Sequence, residues 1–235
     1  MIELVSRKSV FEKLPKTGNE IHLIQKSMYD DNFTDTGYPL TEKQLIELKL
    51  ESDYLEVKSV GQYDFEEIKI LSKAKYGYAK YYRNIAIQLS ELLSETITEN
   101  YYIVSYSKQD FFYAMKTHYK NKRFRKIYSK LEEKLNIGSY NEAIKIDNNE
   151  LIDLLEIFNS IDSFGSGIAE YILICDENDT FFFYFHYSGR ITFWNFQENK
   201  FLSDSVLNKY NFELVLKKNI FEFNNSTCKI NKWIN

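Results

Sequence analysis

Residues 180–196, TFFFYFHYSGRITFWNF, decide the fold class. Two aromatic-rich stretches flank Ser188-Gly189, a dipeptide of the kind that closes a two-residue hairpin loop. That loop pairs Tyr187 with Arg190, Phe185 with Thr192, Phe183 with Trp194 and Phe181 with Phe196. Side chains alternate across a strand, so these residues share one face. Phe182, Tyr184, His186, Ile191, Phe193 and Asn195 share the other. Both faces are apolar. A hairpin with one solvated face alternates apolar with polar, so this one is covered on both sides, or one side waits for a partner.

Outward from the hairpin, residues 170–175 supply a third strand through the loop 176–179, which makes a meander. Residues 203–210 read as a short helix, followed by strands at 212–217 and 220–223. Upstream, the small-residue segment SFGSG at 163–167 marks a change of character, and before it helices dominate. Asp147 and Glu150 box the start of a helix with Leu151, Leu154, Leu155 and Phe158 on one side. Phe124, Ile127, Tyr128, Leu131 and Leu135 form a stripe that Gly138 ends. Phe112, Met115 and Tyr119 form another over residues 110–119. The two stripes are rotated by about 135°, so a break falls at residues 120–123. Residues 101–106 read as a strand. Asp64 and Glu67 open the longest predicted helix, residues 64–96. Its stripe runs through Ile68, Leu71, Tyr78, Tyr82, Ile85, Leu89, Leu92 and Leu93, with Gly77 off the stripe. Residues 54–60 form a predicted strand. Thr41 and Gln44 box a short helix whose apolar side is Leu45, Ile46, Leu48 and Leu50, after a polar loop at 29–39. Residues 1–5 read as a strand. The pattern predicts an α+β protein, a helix-rich N-terminal two-thirds packed on a C-terminal antiparallel β-meander. The expected division is 1–162 and 163–235 within one compact domain.

The chain has 235 residues, enough to bury a sizeable core. Aromatic residues make up 17%, while Gly and Pro are scarce. The surplus of Lys, Asn, Ile, Tyr and Phe over Arg and Pro is the bias of an AT-rich genome, a low-GC bacterium or its phage, so single Lys or Tyr residues carry little weight. The net charge of −4 supplies no global attraction to nucleic acid or anionic lipid. No signal-peptide core and no run near the ~20 apolar residues of a membrane span are present. A cytoplasmic protein with free Cys175 and Cys228 is expected.

Three constellations are candidates for chemistry or binding. The run 116–130, KTHYKNKRFRKIYSK, has seven Lys/Arg and no acid. Its interleaved aromatics suit phosphate contacts and base stacking. The predicted break puts Lys120, Lys122, Arg123, Arg125 and Lys126 at a candidate anion-binding corner. Against that stands the ordinary reading, a solvated face with its aromatics buried. The second constellation is acidic: Asp176, Glu177 and Asp179 fill one loop, and Asp30, Asp31 and Asp35 another. Neither has a calcium-loop pattern, so loop solvation is the ordinary reading, and a decoy surface for a basic partner is the functional one. The third is the sheet face with Phe182, Tyr184, His186 and Phe193, an aromatic docking surface if it is not core. Of the three histidines, His186 reads as packed, and His118 beside lysines is a general-base candidate. No phosphate-loop, dinucleotide, nucleophile-elbow or zinc motif occurs, so no cofactor or metal is expected.

Residues 157–198 carry a further pattern: a helix end, SFGSG, a strand, an aromatic strand, Ser-Gly, then ITFWNFQE. This resembles the C-terminal half of the SUKH superfamily, small α+β bacterial proteins, many of which neutralise toxins deployed between neighbouring cells. The acidic residue and Gly–Pro segment that open that family's N-terminal half have no counterpart here, nor does the long helix at 64–96. No functional residue carries over. The favoured reading is a non-catalytic binding protein with a protein partner, an immunity protein that binds and neutralises a toxin. One alternative is a phage or mobile-element inhibitor of a host defence complex, acting through the basic corner on RNA or an anionic protein surface. The other is a nuclease-like enzyme with a dispersed site around His118 or His186.

Overall fold

The computed structural model describes residues 1–30, 39–51, 63–74, 78–113, 122–162, 172–186, 189–197, 200–215, 220–224 and 229–233. In chain order the elements are β1 (Ile2–Val5), α1 (Arg7–Lys13), α2 (Pro15–Asp30), α3 (Glu42–Glu51), β2 (Glu66–Ser72), α4 (Tyr78–Leu93), β3 (Asn100–Ser105) and α5 (Lys122–Leu135). There follow β4 (Ala143–Asp147), α6 (Asn148–Asp162), β5 (Ile172–Asp176), β6 (Phe181–Phe185), β7 (Ile191–Asn195), a 3-10 turn (Lys200–Leu202), α7 (Asp204–Lys209), β8 (Phe212–Leu214), β9 (Ile220–Asn224) and β10 (Lys229–Trp233).

The fold is α+β. Its centre is an eight-stranded sheet in the order β1-β4-β3-β5-β6-β7-β2-β8, every neighbouring pair antiparallel. The meander β5-β6-β7 is its middle, and strands from the N-terminal region extend it on both sides. β9 and β10 pair as a separate two-stranded sheet.

The hairpin exists, but its register is one residue away from the two-residue reading. Phe185 pairs with Ile191, Phe183 with Phe193, Phe182 with Trp194 and Phe181 with Asn195. The closing pair is His186 and Arg190: the His186 N–H donates to the Arg190 carbonyl at 2.9 Å, and the Gly189 N–H to the His186 carbonyl at 2.8 Å. Three residues therefore form the loop. A two-residue type I′ turn needs positive φ at both central positions, and serine does not favour it. The longer loop needs one left-handed residue, and Gly189 supplies it with φ 79°.

That slip moves Phe193 to the face of Phe181, Phe183 and Phe185, away from Phe182 and Tyr184. The first face is the main core. Phe183 and Phe193 lie 4.9 Å apart, and Phe181 meets Phe201 at 5.2 Å. Leu89 and Leu92 of α4 and Leu154 and Phe158 of α6 are buried in the same cluster. Each such side chain contributes about 1.5–3 kcal/mol by leaving water. The second face is covered over β3, β5 and β6 by the α1–α2 pair: Val10, Phe11, Leu14 and Ile21 join Tyr102, Leu173, Cys175 and Phe182. The two helices touch at Gly18, where a Cβ would stand 3.2 Å from the Phe11 carbonyl oxygen. Buried Arg7 ties the same pair to the sheet. Its Nε donates to the Ser105 carbonyl at 2.7 Å, its Nη2 to the Tyr106 carbonyl, and its guanidinium lies 4.8 Å from the Phe11 ring centre.

The predicted helix 64–96 is corrected. Residues 66–72 are strand β2, helix begins only with α4, and Asp64 caps nothing helical. Ile68 and Leu71 fit a helical period, but Ile68, Ile70 and Ser72 fit a period of two. β-branched residues with a strand on each side settle in the sheet: Ile70 pairs with Ile191 of β7 and with Leu214 of β8. Beyond the strand, the stripe Tyr82, Ile85, Leu89, Leu92 and Leu93 is buried as expected. The Thr41–Gln44 capping box forms, and of the Asp147–Glu150 box the Asp147 cap forms, while the Glu150 carboxylate accepts from Lys134 instead. The Gln44 N–H donates to Thr41 Oγ1 at 3.3 Å while Gln44 Oε1 accepts the Thr41 N–H at 3.0 Å. Asp147 Oδ1 accepts the Asn149 and Glu150 N–H groups. The apolar side of α3 is not core, since Ile46, Leu48 and Leu50 are exposed. The predicted loop 29–39 begins later than expected, since α2 runs on through Asp30; its residues 31–38, the strand 54–60, Gly77, most of the helix 110–119, the break at 120–121, the segment 163–167 and Cys228 lie outside the described residues. No described helix is long and apolar enough to cross a membrane.

Candidate docking surfaces

The residues expected to form an aromatic docking face are divided by the fold. Phe182, 1% exposed, belongs to the layer under α1–α2, and Phe193, fully buried, belongs to the main core. Tyr184 and His186 are half-buried on the second face. Burial pushes the His186 imidazole down to about 4, with Arg190 and Lys69 nearby acting in the same direction. It is therefore neutral at pH 7 and no source of positive charge. Among the described residues no group of three or more His, Cys, Asp or Glu is placed to hold a metal ion. His118 lies outside the described residues.

The acidic loop serves the fold. Asp176 is fully buried. Its Oδ1 accepts the Thr180 and Phe181 N–H groups at 2.7 and 2.9 Å, and its Oδ2 accepts the Asn178 N–H and the Thr180 hydroxyl. Burial raises its carboxyl above the usual range even so, against these bonds. Glu177 Oε1 accepts the Glu99 and Asn100 N–H groups at 3.1 and 2.9 Å. Asp179 reaches across the molecule to α2. Its Oδ2 accepts the Lys16 N–H at 2.6 Å, and its Oδ1 accepts the Thr17 N–H at 3.0 Å and the Thr17 hydroxyl at 2.7 Å. Pro15 opens α2, so the next N–H groups are the helix's orphan donors, and Asp179 caps them from another element. A carboxylate is well placed at this positive end of the helix dipole. Asp179 itself has φ 55°, a left-handed conformation that aspartate tolerates.

The basic run divides along α5. Tyr128, fully buried, packs against Phe112 with ring centres 6.0 Å apart, beside Leu131 and Leu135. Further along the outer side, Lys130 donates to Glu156 of α6 at 2.8 Å, and Lys134 to Glu150 at 2.8 Å and Asp153 at 2.6 Å. Arg83 of α4 joins Asp153 and Glu156. Hydrogen bonds from Lys134 and then Arg83 hold the Asp153 carboxyl below its usual range. The groove between these helices has a volume of about 820 Å³, and its cations are already matched by α6 carboxylates. The first turns of α5 differ. Lys122, Arg123, Arg125 and Lys126 are all exposed, and the first turn has no acid. Among the described residues, Lys122, Arg125 and Lys126 have no ion pair. Lys120 lies outside the described residues.

A further surface lies where the sequence predicts the start of a helix at residue 64. At the entry to β2, Phe65 stacks on Trp194 of β7 with ring centres 4.5 Å apart and planes inclined by 7°. Phe65 is 42% exposed and Tyr63 37%. A depression of about 350 Å³ beside the stack is lined by Asp64, Phe65, Glu66, Asn195, Phe196 and Gln197. The readable signal was the alternation of Phe65, Glu67 and Lys69 with Ile68 and Ile70, a half-buried strand.

No family model matches the chain, and no curated protein sequence or solved structure is similar to it.

Proposed function

We propose that this chain is a non-catalytic binding protein that docks on an acidic surface of a protein partner through the first turns of α5, and that it acts by occupying that partner, as an immunity protein occupies its toxin. One observation carries the reading. Exposed cations crowd the end of a helix where the backbone dipole is already positive, while the cations later in the same helix are matched to α6. Like charges gathered at a positive helix end are unfavourable, and an anionic partner offsets that. One observation favours protein over RNA. Tyr128 of the basic run lies inside the core, so it offers no face for base stacking. The SUKH resemblance points to the same class of partner.

The test is fluorescence anisotropy with a labelled glutamate-rich peptide of about twenty residues and an RNA oligomer of equal length, each over a salt series. The expected result is saturable peptide binding that weakens as salt rises and is lost in the variant K122E/R125E/K126E. Peptide binding unchanged in that variant, or RNA bound more tightly than the peptide, overturns the proposal.

A further inference from the structure

A second surface, independent of α5, carries the opposite charge. Phe65 lies flat on Trp194 and remains 42% exposed, and Tyr63, two residues earlier, is exposed as well. Asp64 and Glu66, both exposed, line the same depression, and among the described residues neither has an ion pair. Glu67, the next acid, is engaged by Lys69 at 2.6 Å. An exposed aromatic stack costs solubility, and the fold uses neither carboxylate in an ion pair among the described residues. Together they form a recognisable receptor: a π face for a flat cation and carboxylates for its N–H groups. A guanidinium satisfies both at once, because it is planar, weakly hydrated and carries its donors in a fork. An ammonium is compact and strongly hydrated and meets only the charge requirement. We propose that the Phe65–Trp194 stack, with Asp64 and Glu66, is a docking site for an arginine side chain presented by a basic segment of a partner protein.

The experiment follows the Trp194 indole N–H signal of the full chain by NMR, assigned with Trp194→Phe, during titration with the peptide acetyl-Gly-Arg-Gly-Arg-Gly-amide. Twin peptides replace arginine by citrulline, of equal shape but uncharged, or by lysine. The signal should move saturably with the arginine peptide, and both twins should bind at least about fivefold more weakly. The double variant Asp64→Asn/Glu66→Gln, which keeps size and shape, should weaken the arginine peptide by about fivefold or more. Phe65→Ala should remove binding. An unmoved Trp194 signal, a citrulline or lysine twin bound equally well, or full affinity in the double variant each overturns the inference. The α5 variant K122E/R125E/K126E should bind the arginine peptide unchanged, so failure at either surface is read separately from the other.

Discussion

Asp179 shows how a side chain that looks like surface decoration becomes structural. Its oxygens hold two N–H groups and a hydroxyl of a helix start 163 residues earlier in the chain. Asp179→Ala should destabilise the protein by about 2 kcal/mol in urea unfolding, through the lost cap and the strain of alanine in the left-handed region. Asp179→Asn, which accepts that backbone and keeps one acceptor, should cost about half as much. Asp153 works through charge. Its carboxyl is depressed in the folded state by Lys134 and Arg83, so its contribution is fully present above the ordinary carboxylate range near 3.8 and is lost as pH falls through the lower folded value. The stability of Asp153→Asn should accordingly show a smaller loss than the parent chain when unfolding is followed downward from pH 4.

Elements that are locally determined were legible in the sequence. The boxes at Thr41–Gln44 and Asp147–Glu150 need only residues three apart, and both helices begin where they say. The stripes of α4, α5 and α6 were readable because one apolar face repeats through several turns. What depended on distant partners was not readable. A run such as Glu66–Ser72 satisfies two periods, and β7 and β8 decide between them. The hairpin was recognised from its aromatics, but a single residue of loop length decided which face Phe193 joined. The α5 corner was visible in part: its charge could be counted, but the division between cations paired with α6 and cations left open required the packing of three helices. The Phe65–Trp194 surface was hidden behind the helix assigned to residue 64. The loop account makes Gly189 the critical position, since φ 79° is left-handed. Gly189→Ala should cost about 1–2 kcal/mol, and Gly189→Asn less. Equal stability of all three would mean the loop does not close on a left-handed residue.

Among the described residues, two groups of charge stand apart from those matched in ion pairs. α6 carboxylates neutralise the later cations of α5 and Arg83, the β5–β6 loop carboxylates are spent on backbone donors, and the first turns of α5 remain positive. At the entry to β2, Asp64 and Glu66 line a depression beside the exposed Phe65. A fold selected for stability alone places acids, not lysines, at a helix start; such conflicts mark sites where binding is favoured over stability. The most direct test of this account therefore measures both quantities on one protein, K122E/R125E/K126E, by urea unfolding and by anisotropy with the glutamate-rich peptide. The account predicts a gain in stability of about 0.5–1 kcal/mol together with loss of peptide binding. A variant that is less stable than the parent and still binds the peptide would contradict it.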